Sequence, residues 1–205
     1  MSRYIKPVIF LAALVPLARL VWKGFHAGLG ANPIEFITHS TGDWTLIFLL
    51  FTLSITPLRK LTRQYWLISL RRMLGLFAFF YGCLHLTTYV WLDKFFDVHQ
   101  MLLDIAKRKY ITAGMTGFAL MIPLALTSTK WSIRKLGKRW QILHRLIYFS
   151  AAAGVIHYIW LVKADLKKPI EYAFVLGLLL LYRVVAWARS NVAAGAKLRV
   201  PEVNN

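Results

Sequence analysis

Six apolar runs of 17 to 21 residues constrain this chain more than any other feature. They lie at about 7–24, 43–59, 72–92, 110–128, 142–162 and 170–188. Each is long enough to cross a bilayer core as a helix, with some tilt. Inside lipid every backbone N–H and C=O must be satisfied within the segment, so runs of this length are read as helices. The expectation is an all-α integral membrane protein, a six-transmembrane-helix bundle in which residues 1–205 form a single domain. A hydrophobic share of 58% and a mean hydropathy of +0.53 over 205 residues suit that solvent. The start, "MSRYIKPVIFLAALVPL", has the basic and apolar parts of a secretory signal. No small-residue cleavage site follows it, and the apolar pattern continues through "ARLVWKGF", so a retained first span is expected.

The formal charge of +18 does not describe a nucleic-acid binder, because the charge is sorted by side. With the N-terminus placed in the cytoplasm, the cytoplasmic segments carry sixteen of the 26 basic residues and the outer ones eight. Arg19 and Arg183 fall within spans. Seven of the eight acids lie on the outer side or its boundary. This is the positive-inside pattern, with both termini cytoplasmic. It leaves a basic inner face for anionic lipid or an acidic cytosolic partner. No soluble reading module accompanies it, so nucleic acid is excluded. One cysteine, Cys83, rules out an internal disulfide and a cysteine-rich metal cluster and is read as a packing residue.

An ionisable side chain within a span is expensive and usually has a specific partner. His85, in "GCLHLTTYVW", is such a residue. It lies thirteen residues beyond Arg72, and His157 lies twelve beyond Arg145. Both therefore sit about 18–20 Å from the inner boundary of their spans. Two imidazoles at matched depth can ligate one flat cofactor from opposite faces, as axial histidines do for haem iron in a bundle core. Gly82 and Gly154 each precede a histidine by three residues, on its helix face. Such glycines leave room beside an imidazole, or else let helices pack closely with no guest. His144 is thirteen residues before His157, about 20 Å away and some 140° round an ideal helix, so the two cannot share one cofactor. It is either a snorkelling interfacial residue or, with a local helix distortion, an inward-facing one.

The segments "LGKRWQILHRLIYFSAAAGVIHYIW", "RRMLGLFAFFYGCLHLTTY" and "GLGANPIEFITHSTG" resemble the MsrQ (YedZ) family, the haem-binding membrane subunits of periplasmic methionine sulfoxide reductase systems. More broadly the chain is similar to the ferric reductase-like transmembrane domain found in NADPH oxidases. The resemblance implies an inner-membrane electron carrier with b-type haem, one or two, and FMN. It implies electrons from the quinone pool or a cytosolic flavin reductase, delivered to the periplasmic molybdopterin enzyme MsrP. His85 and His157 match the family's outer haem ligands, and His144 matches the inner ligand of span five. The oxidases carry a fourth histidine on span three where this chain has Arg71. An inner haem with an unassigned second ligand, or an inner flavin, both stay open.

Arg71, Arg72 and Arg145 are candidates for haem propionates or a flavin phosphate, since arginine pairs bidentately with such anions, or they are simple positive-inside anchors. His39 precedes the second run and is read as part of a capping loop with Ser40, Thr41 or Asp43. Arg19 is expected to snorkel, and Trp91, Trp160 and Tyr158 to form an interfacial belt. No complete catalytic site is apparent. The competing readings are a quinol-linked cytochrome b for another periplasmic oxidoreductase and a histidine-dependent transporter. The spans hold essentially no internal acids and show no clear repeat, which counts against transport.

Overall fold

A computed structural model describes residues 2–162 and 164–197. Among them the regular structure is entirely helical: α1 (Ser2–Phe25), α2 (Pro33–Thr62), α3 (Ile68–Thr87), α4 (Val98–Lys107), α5 (Lys109–Leu126), α6 (Lys130–Leu136), α7 (Lys138–Leu143), α8 (Leu146–Leu161) and α9 (Lys167–Lys197). Six segments are long and apolar enough to span a membrane: Tyr4–Phe25, Pro33–Thr62, Tyr65–Asp93, Lys109–Leu126, Lys138–Leu161 and Lys167–Asn191. This is a multi-pass membrane protein, as its six apolar runs require.

Two antiparallel hairpins, α2 with α3 and α5 with α8, make the centre of the bundle. Helix α1 leans on α2 and α3, and α9 on α8 and α2. In α9 only 6% of the apolar window is buried, against 39% in α2, so its remaining surface is left to lipid. The core is a band of leucines and aromatics, with Phe48, Phe77 and Tyr81 stacked at 5.3–5.6 Å between ring centres.

Two prolines explain how the flanking helices attach. A proline removes one N–H and frees the carbonyl four residues earlier. Pro57 in α2 thus releases the Leu53 carbonyl, and Arg183 of α9 donates to it from Nη2 at 2.7 Å. The same guanidinium lies 4.8 Å above the Tyr148 ring. An arginine inside the sixth span has a structural task at the proline break. In α1, Pro16 opens the ladder, and Tyr81 of α3 inserts its hydroxyl there. The hydroxyl donates to the Ala13 carbonyl at 2.9 Å and accepts from the Leu17 N–H at 3.2 Å.

Several boundaries differ from the sequence reading. Helix α2 begins ten residues before the predicted second span, because Asn32 caps it. The Asn32 Oδ1 accepts from the Glu35 N–H while its Nδ2 donates to the Glu35 carboxylate, with Pro33 at the first helical position. His39, Ser40, Thr41 and Asp43 are therefore helical residues and not a capping loop, and Thr41 is buried. The end of the third span widens into a π-helical turn, Thr88–Asp93, and the polar stretch beyond it folds as the amphipathic α4. The fifth span breaks at His144–Arg145, between α7 and α8. The local helix distortion that an inward-facing His144 requires thus falls at His144 itself.

A candidate metal-cofactor cavity between the two hairpins

The two central hairpins enclose a cavity of about 260 Å³ at the end of the bundle where α2 and α5 begin. His85 of α3 and His157 of α8 both line it, with ring centres 6.0 Å apart and planes at 79°. The His85 Nδ1 lies 2.9 Å from the Thr38 carbonyl, and the His157 Nδ1 lies 2.6 Å from the Tyr110 carbonyl. A carbonyl only accepts, so each Nδ1 carries the proton. In the neutral rings the lone pairs therefore sit on Nε2. This is the orienting contact that metal-binding histidines use to fix tautomer and direction.

Each ring also fills a notch in the opposing helix. A Cβ on Gly42 would meet the His85 Cε1 at 3.1 Å, and one on Gly114 would meet the His157 Nδ1 at 2.7 Å. In both cases the accepting carbonyl belongs to the residue four positions before the glycine, so carbonyl and notch lie on one helix face. The room for the imidazole rings themselves comes from α2 and α5, while Gly82 and Gly154 line the cavity beside them. A Cβ on Gly82 would meet Phe118 at 3.4 Å, and one on Gly154 would meet Leu46 at 2.9 Å. Those glycines open the cavity wall and bring the hairpins together.

The arrangement repeats with a constant offset. Thr38, Gly42, Gly82 and His85 recur 72 positions later as Tyr110, Gly114, Gly154 and His157. Each histidine lies 47 residues from its carbonyl. Both hairpins thus present the same constellation to one cavity. The repeat was not apparent in the sequence because little beyond glycine and histidine is kept between the copies. Aligning the chain on its two Gly-x-x-His pairs is the signal that finds it.

Among the described residues no three His, Cys, Asp or Glu side chains converge on a metal position. The cavity offers two imidazole nitrogens, those of His85 and His157, as facing donors. Tyr158, read from sequence as part of an aromatic belt, lines this cavity instead. His39 and Asp43 also line it, at the mouth. Asp43 is paired with Lys168 at 3.3 Å, and His39 lies 3.8 Å from Glu35.

His144 lies towards the opposite end, at the break before α8, stacked on Trp140 at 3.7 Å. Its Nδ1 donates to the Trp140 carbonyl at 3.1 Å, and its Nε2 is buried without a partner. Arg59 Nε, Ser69 Oγ and Arg183 Nε are likewise buried and unpaired. Arg71 is half-buried, whereas Arg72 and Arg145 are exposed. His99 lies on α4, outside the six spanning segments.

The model of the family described as "Ferric reductase like transmembrane component" matches residues 41–155, more than half of the chain and most of both hairpins. A protein-methionine-sulfoxide reductase heme-binding subunit MsrQ from Herminiimonas arsenicoxydans is 55% identical over 198 residues, 93% of this chain and 91% of the relative. The chain belongs to the MsrQ family. Its namesakes in Bordetella parapertussis, at 53% identity over 93% of each chain, and Rhodospirillum rubrum, at 52% over 88% of each, span the same bundle. No solved structure matches the chain. The MsrQ resemblance first read from the histidine segments is thereby established along nearly the whole length.

Proposed function

We propose that this MsrQ-family chain is a haem-binding membrane subunit that carries electrons across the bacterial inner membrane to a periplasmic methionine sulfoxide reductase of the MsrP type. The observation that carries the proposal is the facing pair His85 and His157, each with Nδ1 committed to a backbone carbonyl. The two ring centres stand 6.0 Å apart, so His85 and His157 would hold a metal between the hairpins through their Nε2 atoms. The residues therefore suit a cofactor that would bring the remaining ligands of its metal with it. Bound there, a b-type haem supplies a one-electron ferric–ferrous couple.

The chain's own contribution is to hold and orient. His85 and His157 present neutral nitrogens, the Thr38 and Tyr110 carbonyls fix their tautomers, and Gly42 and Gly114 admit their rings. Leu46, Leu49, Phe118 and Met121 keep water from the lower cavity. The positive-inside charge supports a periplasmic cavity end and a cytoplasmic basic end with both termini.

The unpartnered Nε2 of His144 supports a second cofactor towards the cytoplasmic end. Arg71 is the nearest of the three candidate arginines to a buried role. Arg72 and Arg145 stand where an anionic group arriving from the cytoplasm would meet them. Either a second haem or FMN suits a lone imidazole beside arginines. Electrons enter there from the quinone pool or a cytosolic flavin reductase. No complete catalytic site is assigned to this chain, and residues 1–205 act as one domain.

The test is a dithionite-reduced minus oxidised spectrum of purified protein, with haem and flavin extracted and counted, joined to electron delivery into the isolated reductase. A b-type signal that His85→Ala and His157→Ala abolish is expected. A colourless wild type, after expression with added haem, would sink the electron-carrier reading and favour transport.

A further inference from the structure

The cavity is apolar at its floor and charged at its mouth. Along α2 the lining passes from His39 and Asp43 to Leu46 and Leu49, and along α5 from Arg108 and Tyr110 to Phe118 and Met121. Among the described residues Arg108 is the one lysine or arginine that lines it. Each carboxylate near the mouth already has a cation: Asp43 has Lys168 at 3.3 Å, and Asp93 has Lys94 at 3.5 Å.

Arg108 is held in place by a hub on the loop side. Asp104 of α4, whose side chain is only 12% exposed, accepts from Lys94 Nζ at 2.8 Å and Tyr89 Oη at 3.2 Å and is ion-paired with Arg108 Nε at 3.0 Å. The Arg108 Nη1 donates to the Tyr110 hydroxyl at 3.1 Å. A guanidinium has five N–H donors in a rigid fork, and this one has two committed. Three remain beside the cavity, on a side chain that is half exposed. The backbone of Tyr110 meanwhile holds His157, so the residue that braces Arg108 also orients a ligand.

We propose that Arg108 is the anion-binding residue of this cavity and takes a carboxylate arm of the bound macrocycle, with Asp104 as its positioning residue. The proposal rests on the haem reading above and adds which way the cofactor faces. A b-type haem carries two carboxylates, and charge is not tolerated against the leucine and phenylalanine floor. They must leave through the mouth, where the fork of Arg108 is pre-set for a carboxylate. Lys94 is no substitute, because Asp104 and Asp93 occupy it.

The experiment compares protohaem with its dimethyl ester, titrated by Soret absorbance into protein expressed without haem. Wild type should bind the free acid about tenfold or more tighter than the ester, the scale of one charge-assisted hydrogen bond. Arg108→Gln should bind both alike, near the wild-type ester value, and Arg108→Lys should restore part of the difference. The midpoint potential of Arg108→Gln should fall, since a lost cation no longer disfavours the ferric state. A wild type indifferent to esterification, an Arg108→Gln protein that keeps the preference for the acid, or one that loses acid and ester equally, each overturns the proposal. His85→Ala and His157→Ala separate the two readings. If they bind protohaem as wild type does, the ligand assignment fails; if they lose it while Arg108→Gln is unchanged, only the Arg108 assignment does.

Discussion

The two ends of the bundle carry the same kind of residue under opposite conditions. At the cavity end, two histidines face one another, each with a carbonyl on Nδ1 and a glycine notch for its ring. At the other end, His144 has the carbonyl and a stacked tryptophan but no facing imidazole, and its Nε2 is left unpaired. The contrast follows from the 72-residue repeat. The position that mirrors His144 is Arg72, which is exposed. The offset pairs His85 with His157 at the cavity end and Arg72 with His144 at the other. The cavity end therefore holds two imidazoles, and the other end holds one imidazole and an exposed guanidinium.

The largest expected effect breaks that contrast outright. His85→Ala or His157→Ala should remove more than nine-tenths of the cavity-end haem signal, counted by pyridine haemochrome, because one donor cannot replace two. His144→Ala should leave that signal in place. Loss of the cavity-end signal in His144→Ala would mean the two ends are not separate.

The glycine notches sharpen the comparison without touching a ligand. Gly114→Ala sets a Cβ at 2.7 Å from the His157 Nδ1, closer than real Cβ contacts come, so the ring must move. Gly42→Ala approaches His85 at 3.1 Å, and Gly177→Ala on α9 meets nothing within 4 Å. Haem content should fall several-fold for Gly114→Ala, less for Gly42→Ala and not at all for Gly177→Ala. Overpacking of this kind costs about 1–3 kcal/mol. Equal haem content in all three would show that the notches do not position the rings.

Much of this was legible in the sequence, and the parts that were not have physical reasons. Six spans follow from length and hydropathy, since lipid admits little else. His85 and His157 were found by depth, because a helix converts residue number to distance at a fixed rise. Gly82 and Gly154 do line the cavity, but spacing reports only the face a residue shares on its own helix. The notches that admit the rings lie on the opposing helices, at Gly42 and Gly114. The start of α2 was missed because polar His39, Ser40 and Asp43 resemble a capping cluster, while Asn32–Pro33 holds the true cap. The role of Arg183 required knowing that α9 crosses α2 opposite Pro57, a contact that no local pattern encodes.

That crossing gives the next effect in size. Arg183→Met should destabilise the protein by about 2 kcal/mol, because the Leu53 carbonyl loses its donor within the span. In a Pro57→Ala background position 57 regains an N–H for that carbonyl, so the same change should cost markedly less. Thermal unfolding in detergent reads the difference. Equal losses in both backgrounds would mean that Arg183 acts through Tyr148 or an inner ligand and not through the proline break.

The hub beside the cavity should respond to pH. Hydrogen bonding from Lys94 holds the Asp104 carboxyl below its ordinary 3.8. The same bond lifts Lys94 above 10.5. A depressed acid stabilises the fold above its unfolded value and loses that contribution as pH falls through its folded value. A raised lysine stabilises below its unfolded value and loses that contribution as pH rises through its folded one. The hub is therefore at full strength between those two ordinary values and fades on either side. Asp104→Asn should cost about 1–2 kcal/mol at neutral pH and should flatten the acid limb of the melting-temperature profile. An unchanged acid limb would place that sensitivity on another carboxylate.

The smallest effect concerns how the repeated hairpins differ outside the cavity. Tyr81 has Ala153 as its counterpart 72 positions later, so only the first hairpin can reach into a neighbouring ladder. It does so at Pro16, where one hydroxyl serves both the Ala13 carbonyl and the Leu17 N–H. Tyr81→Phe keeps the ring and its stacking on Phe48 but leaves both backbone groups unserved. They lie in a helix already opened by proline, and a modest shift of α1 can re-form the direct bond between them. The expected loss is therefore only about 1 kcal/mol. Amide exchange should rise around residues 13–17 while the haem spectrum stays that of wild type. A change in the spectrum would mean that α1 is coupled to the cavity, and that the first hairpin holds His85 in place through its attachment to α1.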